Sequence, residues 1–139
     1  MIETEATLCT KTESIMDDFS PYHNVCQGTQ KRVLFVCSAG MLRSPTAAVI
    51  GAQMGFNTRS CGSWKGALIP ISERLITWAD YVVFMQQENY RQTQNMFYGQ
   101  EIILDLAKKS KIWDIEDNYN YMDDSLCYTL KYYMQHLEK

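Results

Sequence analysis

The sequence predicts an α/β protein in which helices cover both faces of a four-stranded parallel sheet. Two apolar runs, at residues 33–36 and 81–85, are continuous rather than alternating, which is typical of strands buried on both faces. Segments with helical spacing separate the predicted strands, and this alternation is the pattern of parallel sheets. The 109 residues from 31 to 139 are enough for one such domain with a hydrophobic core.

Capping residues and apolar spacing place the elements in order. Ser44 and Pro45 predict the N-cap and first position of a helix, Ser72 predicts a second cap, and Asp123 or Asp124 predicts the last. The predicted strands are 33–36, 57–61, 81–85 and 111–115, and the predicted helices are 46–54, 72–79, 87–97, 100–109 and one from Asp123 or Asp124 to the C-terminus.

Residues 1–30 are expected to form a polar extension that precedes the domain. They lack a long periodic apolar pattern, although a short helix is expected near residues 11–19. The first twenty residues hold five acidic residues against one lysine, a balance of −4, so the rest of the chain carries about +1 of the net charge of −3. The domain itself is therefore close to neutral, without the basic stripe of a nucleic-acid-binding protein.

Cysteine and histidine spacing argues against a disulfide framework or a metal site. The five cysteines (Cys9, Cys26, Cys37, Cys61 and Cys127) form no Cys-x-x-Cys pair, and the two histidines stand alone. No segment approaches the roughly 18 apolar residues of a membrane span, and the N-terminus is too acidic for a signal peptide. We therefore expect a cytoplasmic protein with reduced thiols, no metal, no organic cofactor and no membrane or nucleic-acid partner.

The loop after the first predicted strand has the composition of an anion-binding site. Cys37 ends the strand, and the residues Ser38, Ala39, Gly40, Met41 and Leu42 lead to Arg43 at the start of a helix. In parallel sheets, ligands bind at the carboxyl ends of strands, and the backbone amides of such a loop can converge on a phosphate. The nucleotide-binding pattern Gly-x-x-x-x-Gly-Lys-Ser/Thr is missing, so this is a different phosphate loop.

A thiol at the base of this loop and a guanidinium at its rim predict nucleophilic chemistry. The amides and Arg43 that attract a dianion also stabilise a thiolate, which makes Cys37 a nucleophile at neutral pH. Arg43 can contact two oxygens of a transferring phosphoryl group at once. Ser44 can donate its hydroxyl to the sulfur when sulfur is the leaving group, or can cap the helix, or can do both.

The motif Val33-Leu-Phe-Val-Cys37 through Arg43-Ser44-Pro45-Thr-Ala resembles the opening of the low-molecular-weight protein tyrosine phosphatases, and of their short bacterial-type branch in particular. Ser60-Cys61-Gly62-Ser63, Ala79-Asp80 with Asn89, and Asp117-Asn-Tyr119 resemble later motifs of that family. The resemblance implies strand order 2-1-3-4 and hydrolysis of phosphotyrosine or aryl phosphate through a phosphocysteine intermediate. It also implies that Cys37, Arg43 and Asp117 are catalytic.

This chain departs from the family pattern inside the loop and beside it. Gly40 replaces an asparagine that the resemblance makes a buttress of the loop, and Leu42 replaces a cysteine that can protect the nucleophile as a disulfide. Gln86 stands where an aspartate is common, and Asn118 stands where a proline is common.

Asp117 is the predicted general acid because it follows the last predicted strand, on the same edge of the sheet as Cys37. Asp114 is expected inside that strand, and Asp123 and Asp124 suit helix capping better. Trp64 and Tyr119 are predicted to wall a slot deep enough for an aryl phosphate. The expected partner is therefore a phosphotyrosine protein or a small aryl phosphate.

Three alternatives remain open. Arsenate reductases share the fold and loop by family resemblance but need two further relay cysteines, for which Cys61 and Cys127 are the candidates in the domain. A phosphate-binding or phosphotyrosine-binding module with little turnover is the second. Classical and dual-specificity phosphatases share the letters Cys-Ser-Ala-Gly-x-x-Arg-Ser, but the position of the loop near the start of the domain favours the low-molecular-weight class.

Overall fold

A computed structural model describes residues 29–139 of the chain. The predictions for the segment before residue 29, including the short helix near residues 11–19, lie outside the described residues.

The described residues form one four-stranded sheet in which all strand pairs are parallel and the order is β2-β1-β3-β4. This confirms the predicted fold class and strand order. The strands are β1 (Arg32–Cys37), β2 (Asn57–Gly62), β3 (Tyr81–Phe84) and β4 (Ser110–Ile112). The helices are α1 (Arg43–Gln53), α2 (Glu73–Trp78), α3 (Gln87–Met96), α4 (Ile102–Lys109) and α5 (Asp124–Met134).

Strand β1 lies at the centre of the sheet and is buried on both faces, as its unbroken apolar sequence predicts. Val33 and Phe35 pack in a cluster with residues of α1 and α5. Leu34 and Val36 pack in a second cluster with residues of α2 and α4. This two-sided packing fixes the direction of β1 and therefore the position of Cys37 at its carboxyl end.

Two differences from the predicted boundaries bear on the site. Helix α1 begins at Arg43 with Leu42 as its N-cap residue, so Ser44 lies inside the first turn and does not cap the helix. Its hydroxyl is used by Cys37 and by the Cys61 carbonyl instead. Strand β4 ends at Ile112, so Asp114 follows the strand rather than lying within it.

The other predicted caps are confirmed. The Ser72 hydroxyl accepts a hydrogen bond from the Leu75 N–H at the start of α2, and the Asp123 carboxylate accepts from the first turn of α5. Within residues 29–139, no helix combines the length and the apolar character that crossing a membrane requires.

Candidate active site

The loop between β1 and α1 places the Cys37 thiol at the floor of a pocket of about 200 Å³. Cys37 is 3 % exposed, and its sulfur accepts a hydrogen bond from the Gly40 N–H at 3.2 Å. The predicted site residues that line this pocket are Cys37, Ser38, Ala39, Met41, Leu42, Arg43 and Asp117. The loop, the start of α1 and the segment after β4 thus meet at one edge of the sheet.

Gly40 has a φ of +72°, in the left-handed region that L-residues other than asparagine and aspartate rarely adopt. A Cβ atom built at this position would lie 3.0 Å from the backbone carbon of Cys61 and from the backbone nitrogen of Gly62. The turn that aims the Gly40 N–H at the sulfur therefore depends on this conformation. Because asparagine also tolerates it, the replacement of the asparagine that the resemblance expects preserves the turn and removes only a side chain.

Ser44 lies directly behind the thiol. Its Oγ atom is 3.1 Å from the Cys37 sulfur and donates to the Cys61 carbonyl at 3.1 Å. A hydroxyl has one proton, so it can serve only one of these acceptors at a time. When Cys37 is a thiol, the S–H can donate to the hydroxyl, and when Cys37 is a thiolate, the hydroxyl can turn to donate to the sulfur.

The Arg43 guanidinium is buried and held in one orientation. Its Nη1 group donates to the Gln86 side-chain oxygen at 2.8 Å and to the Ile115 carbonyl at 2.9 Å. Its Nε atom lies 3.3 Å from a carboxylate oxygen of Asp117. With Nη1 fixed by neutral acceptors, the edge formed by Nε and Nη2 is the part of the fork suited to two oxygens of a phosphate.

Asp117 lies in the segment after β4, with a side chain that is 57 % exposed at the mouth of the pocket. Backbone hydrogen bonds from Trp113 to Phe84 and from Ile115 to Met85 continue the direction of β4 beyond its end. Because this segment runs along β3 to the loop edge, it delivers the carboxylate beside Arg43.

The structure does not bring every predicted site residue to the pocket wall. Gly40 and Ser44 lie behind the floor, where they contact the sulfur. Trp64 is 57 % exposed and lines a neighbouring groove, while Tyr119 is partly buried against the core. The apolar rim of the pocket comes instead from the loop itself, through the exposed side chains of Met41 and Leu42.

Two residues support the loop without having been predicted as site residues. Gln86 holds Arg43, and Asn89 donates to the hydroxyls of Ser38 and Ser63. In the sequence, Gln86 is a departure from the family pattern and Asn89 is part of the motif near its third strand. Their partners lie 43 and 51 residues away in the chain, so local spacing carries no signal for these roles.

The two other described thiols, Cys61 and Cys127, are free. Cys61 is buried in the cluster on one face of the sheet, whereas Cys37 belongs to the cluster on the other face. Burial raises the pKa of the Cys61 thiol well above its usual range, and the charge of Cys37 raises it further. Cys127 is on α5, and burial raises the pKa of its thiol as well.

No group of three or more histidine, cysteine or acidic side chains within residues 29–139 is arranged to hold a metal ion. The pocket itself is lined by the Cys37 thiol, the Arg43 guanidinium and the Asp117 carboxylate, among other residues.

The described residues define an α/β protein with a cysteine-containing loop between its first strand and its first helix. The chain has the fold of the low-molecular-weight tyrosine phosphatases, as the sequence resemblance implied. One similar structure is Wzb from Vibrio vulnificus in complex with benzylphosphonate, with 13 % identity over 78 % of this chain and 99 % of that one and a TM-score of 0.59.

Two further structures support the same fold. The tyrosine phosphatase Wzb from Escherichia coli K30 in complex with phosphate has 16 % identity, covers 79 % of this chain and 100 % of that one, and has a TM-score of 0.58. The YwlE arginine phosphatase from Geobacillus stearothermophilus has 16 % identity over 78 % and 99 % of the two chains and a TM-score of 0.57. No protein-family model matches the chain, and no curated protein sequence matches it.

Proposed function

We propose that this protein is a cysteine-dependent phosphatase that hydrolyses aryl phosphate monoesters, phosphotyrosine among them, through a phosphocysteine intermediate. The observation that carries the proposal is the convergence of the Cys37 sulfur, the Arg43 guanidinium and the Asp117 carboxylate on one pocket. A nucleophile, a dianion receptor and an acid are the three groups that this reaction requires.

In the first step, the Cys37 thiolate attacks phosphorus on the side opposite the ester oxygen. The sulfur–phosphorus bond forms as the bond from phosphorus to the ester oxygen breaks, and protonated Asp117 gives its proton to the leaving alcohol. The loop amides and the Nε–Nη2 edge of Arg43 hold the three equatorial oxygens, on which negative charge is spread.

In the second step, a water molecule attacks the phosphorus of the phosphocysteine. The Asp117 carboxylate takes a proton from this water, inorganic phosphate forms, and the sulfur leaves as a thiolate. The Ser44 hydroxyl, 3.1 Å from the sulfur, stabilises the leaving thiolate by turning its proton from the Cys61 carbonyl toward it.

The rim of the pocket favours an aromatic ester over an aliphatic one. Ala39, Met41 and Leu42 present apolar side chains around the thiol, and the exposed Trp64 extends this apolar surface into the neighbouring groove. A phenyl ring would bury apolar area there, whereas the short chain of phosphoserine would leave the surface uncovered.

The proposal is tested by the hydrolysis of p-nitrophenyl phosphate and of a phosphotyrosine peptide. We expect turnover by the unaltered protein and its loss in Cys37→Ser, with trapping of a phosphocysteine on acid quench. Cys127→Ser is the matched control, because Cys127 is a described thiol away from the pocket, and it should retain turnover. Binding of inorganic phosphate without turnover would instead identify a binding module, and preferential hydrolysis of a phosphoarginine peptide would overturn the substrate assignment.

A further inference from the structure

Asn89 is a fully buried amide beneath the candidate active site, on the first turn of α3. Its Nδ2 group donates to the Ser38 hydroxyl at 3.1 Å and to the Ser63 hydroxyl at 3.2 Å. Its Oδ1 atom accepts from the Gln86 N–H at 3.1 Å. Both donors of the amide and one acceptor position are therefore engaged, each with a different segment of the chain.

These contacts connect Asn89 to both ends of the phosphate loop. Ser38 is the residue next to the nucleophile Cys37. Gln86 accepts from the Arg43 guanidinium through its side chain, and its own backbone N–H is held by Asn89. One buried amide thus links the nucleophile end of the loop to the guanidinium end.

Asn89 also secures the segment against which the loop rests. The N–H groups of Ser63, Trp64 and Leu68 donate to the carbonyls of Cys37, Ser38 and Ala39, at 2.8, 3.0 and 3.1 Å. Ser63 begins this segment, and its hydroxyl is held between Asn89 and the side-chain oxygen of Gln92. The loop and its backing are therefore tied to the same side chain.

The need for such a tie follows from Gly40. With φ at +72°, the middle of the loop is a left-handed turn formed by a glycine, which adopts this conformation without strain but has no side chain with which to brace it. A loop that must hold several N–H groups toward one anion loses catalytic power when it relaxes by even about 1 Å. The bracing therefore has to come from outside the loop.

We propose that Asn89 is the positioning residue of this site, which holds Cys37 and Arg43 in register for the dianion. It does not line the pocket and acts through Ser38 and Gln86. This inference rests on the proposed function for its kinetic consequence, but not for its effect on thiol reactivity or on phosphate binding.

The test compares Asn89→Ala with Thr93→Val, a buried position one turn further along the same helix. Among residues 29–139, the Thr93 hydroxyl donates to the Asn89 carbonyl and contacts no residue of the loop. Thr93→Val therefore removes a buried hydrogen bond that does not reach the loop. For Asn89→Ala we expect a fall in kcat/KM on p-nitrophenyl phosphate of roughly 10- to 100-fold. Thr93→Val should change kcat/KM less than about threefold.

Two readouts separate positioning from a general loss of stability. The first readout is the alkylation of Cys37 by iodoacetamide, which is followed by mass spectrometry of the Cys37 peptide, and the second is the binding of inorganic phosphate. We expect Asn89→Ala to move the pH midpoint of alkylation upward and to weaken phosphate binding. Thr93→Val should move neither, even where urea titration shows equal destabilisation. Equal effects of the two variants on alkylation would overturn the proposal.

A double-mutant cycle with Ser38→Ala tests the route of the effect. If Asn89 acts partly through Ser38, Asn89→Ala should lower kcat/KM by a smaller factor in a Ser38→Ala background than in the unaltered protein. An equal fall in kcat/KM in both backgrounds would show that Asn89 does not act through Ser38. Should Asn89→Ala fail to fold, Ser38→Ala alone must raise the alkylation midpoint, since it removes the same bond from the loop side.

Failure of the two proposals can be told apart. A protein that binds phosphate and shows the Asn89 effect on alkylation, yet hydrolyses nothing, contradicts the phosphatase and supports the positioning role. A protein that hydrolyses p-nitrophenyl phosphate equally well with Asn89→Ala contradicts the positioning role alone.

Discussion

The Nε atom of Arg43 lies 3.3 Å from the Oδ1 atom of Asp117, so the candidate acid is paired with the guanidinium that is to bind the substrate. The two side chains differ sharply in exposure, at 1 % for Arg43 and 57 % for Asp117. The guanidinium is fixed by its other contacts, whereas the carboxylate faces solvent. A dianion entering the pocket therefore competes with Asp117 for Nε.

This competition predicts that Asp117→Asn binds inorganic phosphate more tightly than the unaltered protein. The substitution removes both the ion pair and the repulsion between carboxylate and dianion. Because exposed pairs contribute little, the gain should be at most about fivefold. Calorimetry or competitive inhibition measures it, with Asp114→Asn as the control, an exposed carboxylate nearby that is not paired with Arg43. Weaker binding by Asp117→Asn would contradict the competition.

The same substitution should slow catalysis in a way that depends on the leaving group. Phenolate needs a proton more than nitrophenolate does, so Asp117→Asn should lower turnover of phenyl phosphate at least about tenfold more than that of p-nitrophenyl phosphate. Steady-state rates on the two esters decide the point. Equal losses on both would show that Asp117 is not the acid of the first step.

Gly40→Ala should impair the site, while Gly99→Ala impairs only the fold. Both glycines have a positive φ, at +72° and +79°, so an alanine at either costs roughly 1 kcal/mol of stability through backbone strain. A Cβ at Gly40 would also press on the Cys61–Gly62 peptide at 3.0 Å, whereas one at Gly99 meets nothing within 4 Å. We therefore expect phosphate binding and turnover to fall in Gly40→Ala alone. Unchanged phosphate affinity in Gly40→Ala would show that the turn is not needed.

The sequence predicts those parts of the molecule whose structure depends on residues close together in the chain. The unbroken apolar runs of β1 and β3 predict strands that are buried on both faces, and the structure has buried strands at both positions. Cys37 and Arg43 are joined by five residues between a strand and a helix, so their proximity follows from the loop itself.

What could not be predicted depends on contacts between distant residues. Asn89 meets Ser38 across 51 positions, and only the packing of α3 against the loop edge brings them together. Strand β4 ends earlier than its sequence predicts, because Trp113 and Ile115 continue the apolar pattern and the hydrogen bonds to the β3 segment after the strand has ended. Trp64 was expected at the pocket wall, but the chain after β2 turns it toward the neighbouring groove.

The buried thiol of Cys61 should make the protein less stable at alkaline pH. Its pKa is raised in the folded protein, mainly by burial, so between the ordinary thiol pKa of about 8.5 and the folded value the unfolded chain loses a proton that the native state keeps. The unfolded state then binds fewer protons than the native state, and the free energy of unfolding falls as pH rises, by up to about 1.4 kcal/mol per pH unit. The stability that the protonated Cys61 thiol contributes is fully present below the pKa of the unfolded chain, and it is lost as the pH rises from there through the folded pKa.

Cys61→Ala removes this titration, so its stability should decline less steeply than that of the unaltered protein above about pH 8.5, while the two run parallel near neutrality. The alanine lowers stability at every pH by leaving a small cavity, but a cavity has no pH dependence, and only the difference in slope tests the thiol. Urea titrations from pH 7 to pH 10 measure it. Parallel curves over the whole range would mean that Cys61 ionises as readily in the folded chain as in the unfolded one, which would contradict its complete burial in the cluster with Leu34 and Val36.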